Sequence, residues 1–201
     1  MPSPVPPFVI VRHGNTFVAG EPPRRIGWRT DLPLTDAGIA QGQALGRHFA
    51  QQGWNFARVL VSPLARTRQT AAAIALHLPD APAAEDCAWL REIDHGPDED
   101  QPEAAVLRRV GADALAAWDE AGTAPADWVV DAEERLAGWR RLFTAEAGPT
   151  LLVTSNGAAR FALLATGLQG GGGLKLATGS YGLLRRDGQG QLAVDGWNLR
   201  P

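Results

Sequence analysis

Short apolar runs alternate along this chain with longer segments in which apolar residues recur at helical spacing. Three of the runs are rich in branched aliphatic residues and predict buried strands, at residues 8–11, 58–61 and 150–154. Helices are predicted after these strands, at about 35–52, 63–78 and beyond Gly157. Such alternation is typical of a mostly parallel sheet that helices cover on both faces. The pattern therefore predicts an α/β chain folded as a three-layer α/β/α sandwich.

The middle of the chain follows a less regular pattern. A strand is predicted near residues 88–90, and an acidic loop follows at 94–101. Two helical stretches are expected at about 103–121 and 132–147, the second of them opening on Asp131 as its N-cap.

The C-terminal part changes to strand-like patterning. Residues 181–186 and 191–197 flank a turn sequence at 187–190, which predicts an antiparallel hairpin. A glycine run at 170–173 predicts a flexible loop before the hairpin. The sequence shows no internal repeat, and its 201 residues are expected to form one domain, 1–201.

Composition and charge exclude several classes of protein. A net charge of −3 argues against binding to nucleic acid or to a membrane surface through bulk charge. The apolar stretch 151–168 is interrupted by polar residues and glycines, so it is not expected to span a membrane. Residues 1–7 lack the features of a signal peptide, and a single cysteine, Cys87, excludes an internal disulfide. The expectation is a cytoplasmic protein.

Polar side chains follow each of the three predicted apolar strands. Arg12 and His13 follow the first, Arg66 lies shortly after the second, and Asn156 follows the third. Ligands of open α/β sheets bind beyond the carboxyl ends of the strands. Lys175 is the only lysine among 19 basic residues, so an anion site here would be built from guanidinium groups. The strand ends therefore predict a phosphate pocket.

Several segments in order resemble the histidine phosphatase superfamily, also called phosphoglycerate-mutase-like. They are residues 11–16 (VRHGNT), 31–38 (DLPLTDAG) with Gln41, and 62–71 (SPLARTRQTA). The resemblance covers about residues 9–92 and 150–185. The helices between, at about 95–148, fall in the part that varies within that family and are expected to form a cap-like region.

The resemblance implies roles for individual residues. His13 would be the nucleophile that takes the phosphoryl group, and Arg12 and Arg66 would clamp its oxygens. It also implies substrate contacts from Asn15, Thr16 and Gly157. No metal or other cofactor is implied, because the arginines supply the positive charge.

The proton donor to the leaving group is less clearly assigned. The segment 90–96 is similar to the family segment that carries this acid, which maps the role onto Glu92. A donor must be protonated when it acts, whereas neighbouring arginines favour the carboxylate. Asp94 and His95 are the alternative donors, unless they are ordinary loop residues.

One position departs from the family pattern. Asn156 stands where the resemblance implies a second histidine, and an amide can donate a hydrogen bond but cannot carry a positive charge. Three explanations of this asparagine are open. The chain is a natural variant that still hydrolyses phosphate esters, an impaired family member that only binds phosphorylated ligands, or a protein with an engineered substitution. Arg160, one helical turn later, could restore the charge if it reaches back along its helix.

Two groups of residues have open roles. The first either rims the pocket or forms a solvated loop; it comprises Arg24, Arg25, Trp28 and Arg29. The second lines a substrate cap, fills the core or forms a dimer face; it comprises Trp118, Trp128 and Trp139.

The expected function is hydrolysis of a small phosphomonoester, without a metal, through a phosphohistidine on His13. The alternatives are a sensor that binds a phosphorylated ligand without turnover and a phosphotransferase of the phosphoglycerate mutase type. The expected partner is a small phosphorylated metabolite, with no nucleic acid or membrane, and the chain could form a homodimer.

Overall fold

The structure is a computed structural model and describes residues 7–145, 148–168, 170 and 173–201. The strands are β1 Phe8–Arg12, β2 Arg24–Arg25, β3 Arg58–Val61, β4 Glu85–Asp86, β5 Gln101–Pro102, β6 Thr150–Thr154, β7 Tyr181–Arg186 and β8 Leu192–Leu199. The α-helices are α1 Asp36–Gln51, α2 Ala65–Ala75, α3 Glu103–Val110, α4 Ala112–Ala121, α5 Ala132–Thr144 and α6 Asn156–Thr166. Short 3-10 helices cover Ala88–Leu90 and Gly96–Asp98.

Six strands form the main sheet, in the order β4-β3-β6-β1-β7-β8. The first four are parallel, whereas β7 pairs antiparallel with β1 and β8 pairs antiparallel with β7. Leu151 of β6 pairs with Val9 on one side and Val59 on the other, so the three apolar runs lie side by side. The predicted α/β fold, with a mainly parallel sheet and a C-terminal hairpin, is confirmed.

Each face of the sheet carries its own apolar layer. Successive residues of a strand point to opposite faces. Phe8 and Ile10 of β1 accordingly pack in a layer with Trp139 of α5, while Val9 packs in the other layer with Phe49 of α1. Helices therefore cover the sheet on both sides, which gives the three layers.

The α1–α2 contact depends on glycine. A Cβ on Gly46 would lie 2.5 Å from the carbonyl oxygen of Ile74, and one on Gly42 would lie 2.8 Å from Cβ of Ala73. The two helices can pack this closely only because these side chains are absent.

Ile39, which shares the helical spacing of the core residues of α1, is 37% exposed. Thr35 caps α1 as predicted, accepting the Gly38 N–H at 3.2 Å.

The strand predicted near residues 88–90 is wrong. The Cys87 N–H donates to the Val61 carbonyl at 2.8 Å, and the Leu90 N–H then donates to the Cys87 carbonyl at 3.1 Å. The chain thus leaves the sheet after β4 and turns into a 3-10 helix. Leu90 is buried there all the same, and a short apolar run does not by itself distinguish a strand from a buried turn.

The predicted helix at 103–121 is two helices. Gly111 separates α3 from α4 with a φ of 82°, which is outside the helical region. Asp131 precedes α5 but has a left-handed backbone and makes no side-chain cap bond, so the predicted capping interaction is wrong.

Some predictions extend beyond the described residues or missed an element. The predicted helix at 132–147 ends at Thr144 in the structure, and 146–147 lie outside the described residues, as do 171–172 of the glycine loop. The antiparallel pair formed by β2 and β5 was not predicted. Within the described ranges, no helix is long and apolar enough to cross a membrane.

Candidate active site

The three polar strand ends converge at one edge of the sheet. His13 follows β1, Asn156 opens α6 after β6, and Arg66 lies in the first turn of α2 after β3. The strands that precede Arg12 and Arg66 are not neighbours in the sheet, because β6 lies between β1 and β3. Asn156 therefore starts from the central strand of the three.

His13 is held in one orientation by the residue that follows it. Its Nδ1 lies 2.7 Å from the Gly14 carbonyl oxygen and donates to it, which leaves the lone pair on Nε2. Gly14 is needed there because a Cβ would overlap the Gly38 carbonyl. Burial, followed by the charges of Arg66 and Arg12, lowers the pKa of His13 well below its usual 6.5. The imidazole is therefore neutral at neutral pH.

Main-chain carbonyls orient the two arginines beside His13. Arg12 Nη1 donates to Leu176 at 2.6 Å, and Arg66 donates to Thr30 at 3.1 Å and to Gly27 at 3.0 Å. The Nε–H groups of both arginines are buried without an acceptor in the described part of the chain. Desolvation lowers the pKa of Arg12 to about 10 although Glu92 raises it, so the guanidinium is still charged at neutral pH.

A cavity of about 310 Å³ opens over His13. Seven of the eight predicted site residues line it: Arg12, His13, Asn15, Thr16, Glu92, Asn156 and Gly157. Arg66 does not line it. Arg66 is fully buried instead, close enough to His13 for its charge to affect the imidazole.

Two main-chain N–H groups, one from the next residue and one from α6, hold the carboxylate of Glu92. Its Oε1 accepts the Ile93 N–H at 2.9 Å, and its Oε2 accepts the Gly157 N–H at 3.2 Å. A Cβ on Gly157 would overlap Oε1 of Glu92. Gly157 thus admits the carboxylate to the wall of the cavity.

Asn156 is tied to Arg12 through one residue. The Leu176 N–H donates to Asn156 Oδ1 at 2.9 Å, while the Leu176 carbonyl accepts from Arg12. Because the amide oxygen is used as an acceptor, the amide Nδ2 of Asn156 remains as a donor. Asn15 is held similarly, since its side-chain oxygen accepts from the hydroxyl of Thr178.

Arg160 also lines the cavity, and the sequence alone did not decide its role. It is 1% exposed, its Nη1 donates to the Trp118 carbonyl, and its guanidinium carbon lies 3.8 Å from the centroid of the Trp118 ring. Desolvation lowers its pKa to about 10. The sequence signal for Arg160 is its position four residues, about one helical turn, after Asn156.

Among the residues with open roles, some reach the cavity and others do not. Arg24, Arg25, His95 and Trp118 line it. Asp94 does not: it pairs with Arg29 at 3.0 Å and accepts the Gly96 N–H at 2.7 Å. Trp28, Trp128 and Trp139 lie outside it as well, and the last two are buried in the core rather than on a dimer face.

A larger cavity of about 570 Å³ lies elsewhere, between α2 and the β3 side of the sheet. Its lining is mostly alanine and aliphatic, and its two charged residues, Arg68 and Asp86, bond to each other at 2.5 Å. The reactive side chains are in the smaller cavity.

A family profile described as the histidine phosphatase superfamily (branch 1) matches residues 8–199. The chain belongs to the histidine phosphatase superfamily. No curated protein matches it. The histidine phosphatase resemblance noted in the sequence is thus confirmed at the level of the family.

Solved structures agree on the fold. A mycobacterial glucosyl-3-phosphoglycerate phosphatase aligns with a TM-score of 0.75 at 20% identity, covering 95% of this chain and 97% of that one. The α-ribazole phosphatase of Shigella flexneri aligns with a TM-score of 0.72 at 19% identity, covering 96% of each chain. A protein of Thermus thermophilus is 26% identical with a TM-score of 0.64, covering 93% of this chain and 96% of that one.

Proposed function

We propose that this histidine phosphatase family member hydrolyses a small phosphomonoester through a phosphohistidine on His13. The observation that carries the proposal is the buried, neutral imidazole of His13, whose Nδ1–H donates to Gly14 so that Nε2 is free to attack. Arg12 and Arg66 lie beside it with unused N–H donors. A nucleophile with fixed cations beside it is what phosphoryl transfer requires.

In the first step, Nε2 of His13 attacks phosphorus, and the bond from phosphorus to the ester oxygen breaks. The leaving oxygen takes a proton from an acid and departs as an alcohol. Arg12 and Arg66 stabilise the charge on the phosphoryl oxygens. In the second step, water attacks phosphorus, passes its proton to the base formed in the first step, and Nε2 leaves with inorganic phosphate as product.

Of the three candidate acids taken from the sequence, Glu92 and His95 line the cavity. Asp94, the other alternative donor, instead accepts hydrogen bonds from Arg29 and from the Gly96 N–H. We assign the role to Glu92, since the Gly157 N–H that anchors its carboxylate belongs to the first turn of α6, which also carries Asn156.

Asn156 supplies a neutral donor at the place that the family resemblance gives to a second histidine. Its amide is oriented by the Leu176 N–H, so the donor is preorganised. Replacing a charged donor by a neutral one weakens the clamp without removing it. We therefore propose an active phosphatase rather than a sensor.

The test compares hydrolysis of p-nitrophenyl phosphate, in the presence of EDTA, by the wild type and by His13→Ala. We expect turnover in the wild type and its loss in the variant, and a kcat/KM that holds below pH 6.5 because His13 stays neutral there. His48→Ala is the matched control, because His48 bonds to the Tyr181 hydroxyl at 2.8 Å, away from the cavity. Phosphate binding without turnover in either protein would favour the sensor, and wild-type turnover in His13→Ala would contradict the mechanism.

A further inference from the structure

Two arginines at the cavity rest on a pair of touching tryptophans. The guanidinium carbon of Arg160 lies 3.8 Å from the Trp118 ring centroid, and that of Arg25 lies 5.4 Å from the Trp128 ring centroid. The two indole rings meet edge to face, with centroids 5.7 Å apart. Arg25 belongs to β2 and Arg160 to α6, so two distant parts of the chain converge on one aromatic support. Such stacking holds a guanidinium in place without using its N–H donors.

Both arginines retain a buried donor. The Nε atoms of Arg25 and Arg160 are inaccessible to solvent and have no hydrogen-bond acceptor within the described ranges. Native proteins rarely leave buried N–H groups without an acceptor, and exceptions call for an explanation. A bound anion would provide the acceptor.

The counter-charges also leave room for a ligand. Asp119 pairs with Arg160 at 3.9 Å, and its other carboxylate oxygen lies 2.5 Å from Nζ of Lys175. Glu92, which lines the same cavity, also raises the pKa of Arg160. Arg25 pairs with Glu103 at 2.5 Å, through Nη2 only. Arg160 is 1% exposed, so water does little to offset its charge.

Both arginines line the same cavity as His13 and Asn156. The Arg12 and Arg66 pair, beside His13, is assigned above to the phosphoryl group. We propose that Arg25 and Arg160 form a second anion subsite, which binds a carboxylate or a non-reacting phosphate on the leaving group of the substrate. This inference rests on the proposed function, since it specifies which phosphomonoesters the enzyme prefers.

Binding to His13→Ala tests the subsite without depending on turnover. The probes are hydroxyethyl phosphate, phosphoglycolate and ethylene glycol bisphosphate, which share a two-carbon skeleton and differ in the second group, together with their four-carbon homologues. We expect calorimetry to give at least about tenfold tighter binding for one of the two probes with an anionic second group than for hydroxyethyl phosphate, whose second group is a neutral hydroxyl. The stronger of the two identifies carboxylate or phosphate.

Variants in the same His13→Ala background locate the effect. Adding Arg160→Gln or Arg25→Gln should reduce the preference to about threefold or less. Arg91→Gln is the matched control, because Arg91 also stacks on an indole, 4.2 Å from the Trp28 ring centroid, but does not line the cavity. Thermal unfolding checks that each variant folds, and Arg25→Gln decides the question if Arg160→Gln does not.

Equal binding of probes with a neutral and with an anionic second group would overturn the subsite. An equal loss of preference in the Arg25, Arg160 and Arg91 variants would overturn it too. Wild-type turnover of hydroxyethyl phosphate is measured separately. If the wild type hydrolyses none of the esters while the binding preference persists, the proposed function fails and the subsite stands.

Discussion

Two pairs of arginines at the candidate site differ in what supports them. Arg12 and Arg66 are oriented by main-chain carbonyls of Leu176, Thr30 and Gly27. Arg25 and Arg160, in contrast, also rest on the rings of Trp128 and Trp118. Each has one further polar partner, the Glu103 carboxylate for Arg25 and the Trp118 carbonyl for Arg160. The indole rings support the second pair through their faces, a contact that leaves the Nε–H groups of Arg25 and Arg160 unused.

The difference matches what each pair must do. A reacting phosphoryl group needs donors in a fixed geometry, because misplacement by about 1 Å can cost two orders of magnitude in rate. A leaving group that is only bound tolerates a looser contact. The pair beside His13 therefore suits the reaction, and the pair that rests on the indole rings suits recognition.

Arg66→Met tests most directly whether the pair beside His13 serves the reaction. Loss of this preorganised charge beside His13 should lower kcat/KM for p-nitrophenyl phosphate by about 10²- to 10³-fold. Arg66→Lys should lose most of this activity too, because an ammonium group cannot reproduce the guanidinium fork that reaches both Thr30 and Gly27.

The control for Arg66 lies two residues along the same helix. Arg68 is exposed and bonds to Asp86 at 2.5 Å, so Arg68→Met should leave kcat/KM near the wild-type value. Wild-type activity in Arg66→Lys would show that carbonyl-defined geometry is unimportant. Thermal unfolding separates loss of catalysis from loss of fold.

Adding charge at the reacting end is a milder change. Asn156→His should raise kcat by up to about tenfold, which is less than the 10²- to 10³-fold cost of losing a donor outright, because the amide already donates. The measurement is kcat near pH 6, where an ordinary imidazole is largely protonated. Unchanged or lower turnover would contradict the idea that Asn156 weakens the clamp, and Asn156→Ala supplies the comparison without a donor.

The smallest expected effect on activity comes from Glu99, which organises the carbonyls around Arg66. Its carboxylate accepts the N–H groups of Gly27 at 2.9 Å and Thr30 at 3.0 Å, the two residues whose carbonyls hold Arg66. Glu99→Gln should lower kcat about threefold and the free energy of unfolding by about 1–3 kcal/mol. Chemical denaturation and steady-state kinetics measure the two effects.

The pH dependence of the Glu99 effect has a defined sign. Burial raises the pKa of Glu99, but hydrogen bonds from His95, Thr30 and Gly27 outweigh it and hold the pKa at about 2. A pKa below the unfolded value of about 4.5 stabilises the fold above pH 4.5, and this contribution is lost as pH falls towards 2. The stability difference between wild type and Glu99→Gln should therefore narrow below pH 4.5, and a constant difference would contradict this account.

Local signals predicted the elements that have clear ends. Thr35 caps α1, and the apolar runs at 8–11, 58–61 and 150–154 are strands, because caps and buried strands depend on neighbouring residues. Prediction failed at 88–90 and at Gly111. There, a short apolar run and a glycine inside a helical pattern each fit two structures, and packing selects between them.

Local patterns in the chain are enough to predict the α/β class, the family and the polar residues that follow each apolar strand, because those signals depend on neighbouring residues. Tertiary packing instead places β6 between β1 and β3 and buries Arg66 while Arg12 lines the cavity. It also brings Arg25 and Arg160 together on Trp128 and Trp118. These contacts join residues far apart in sequence, and the packing of whole elements, rather than any local pattern, brings them together.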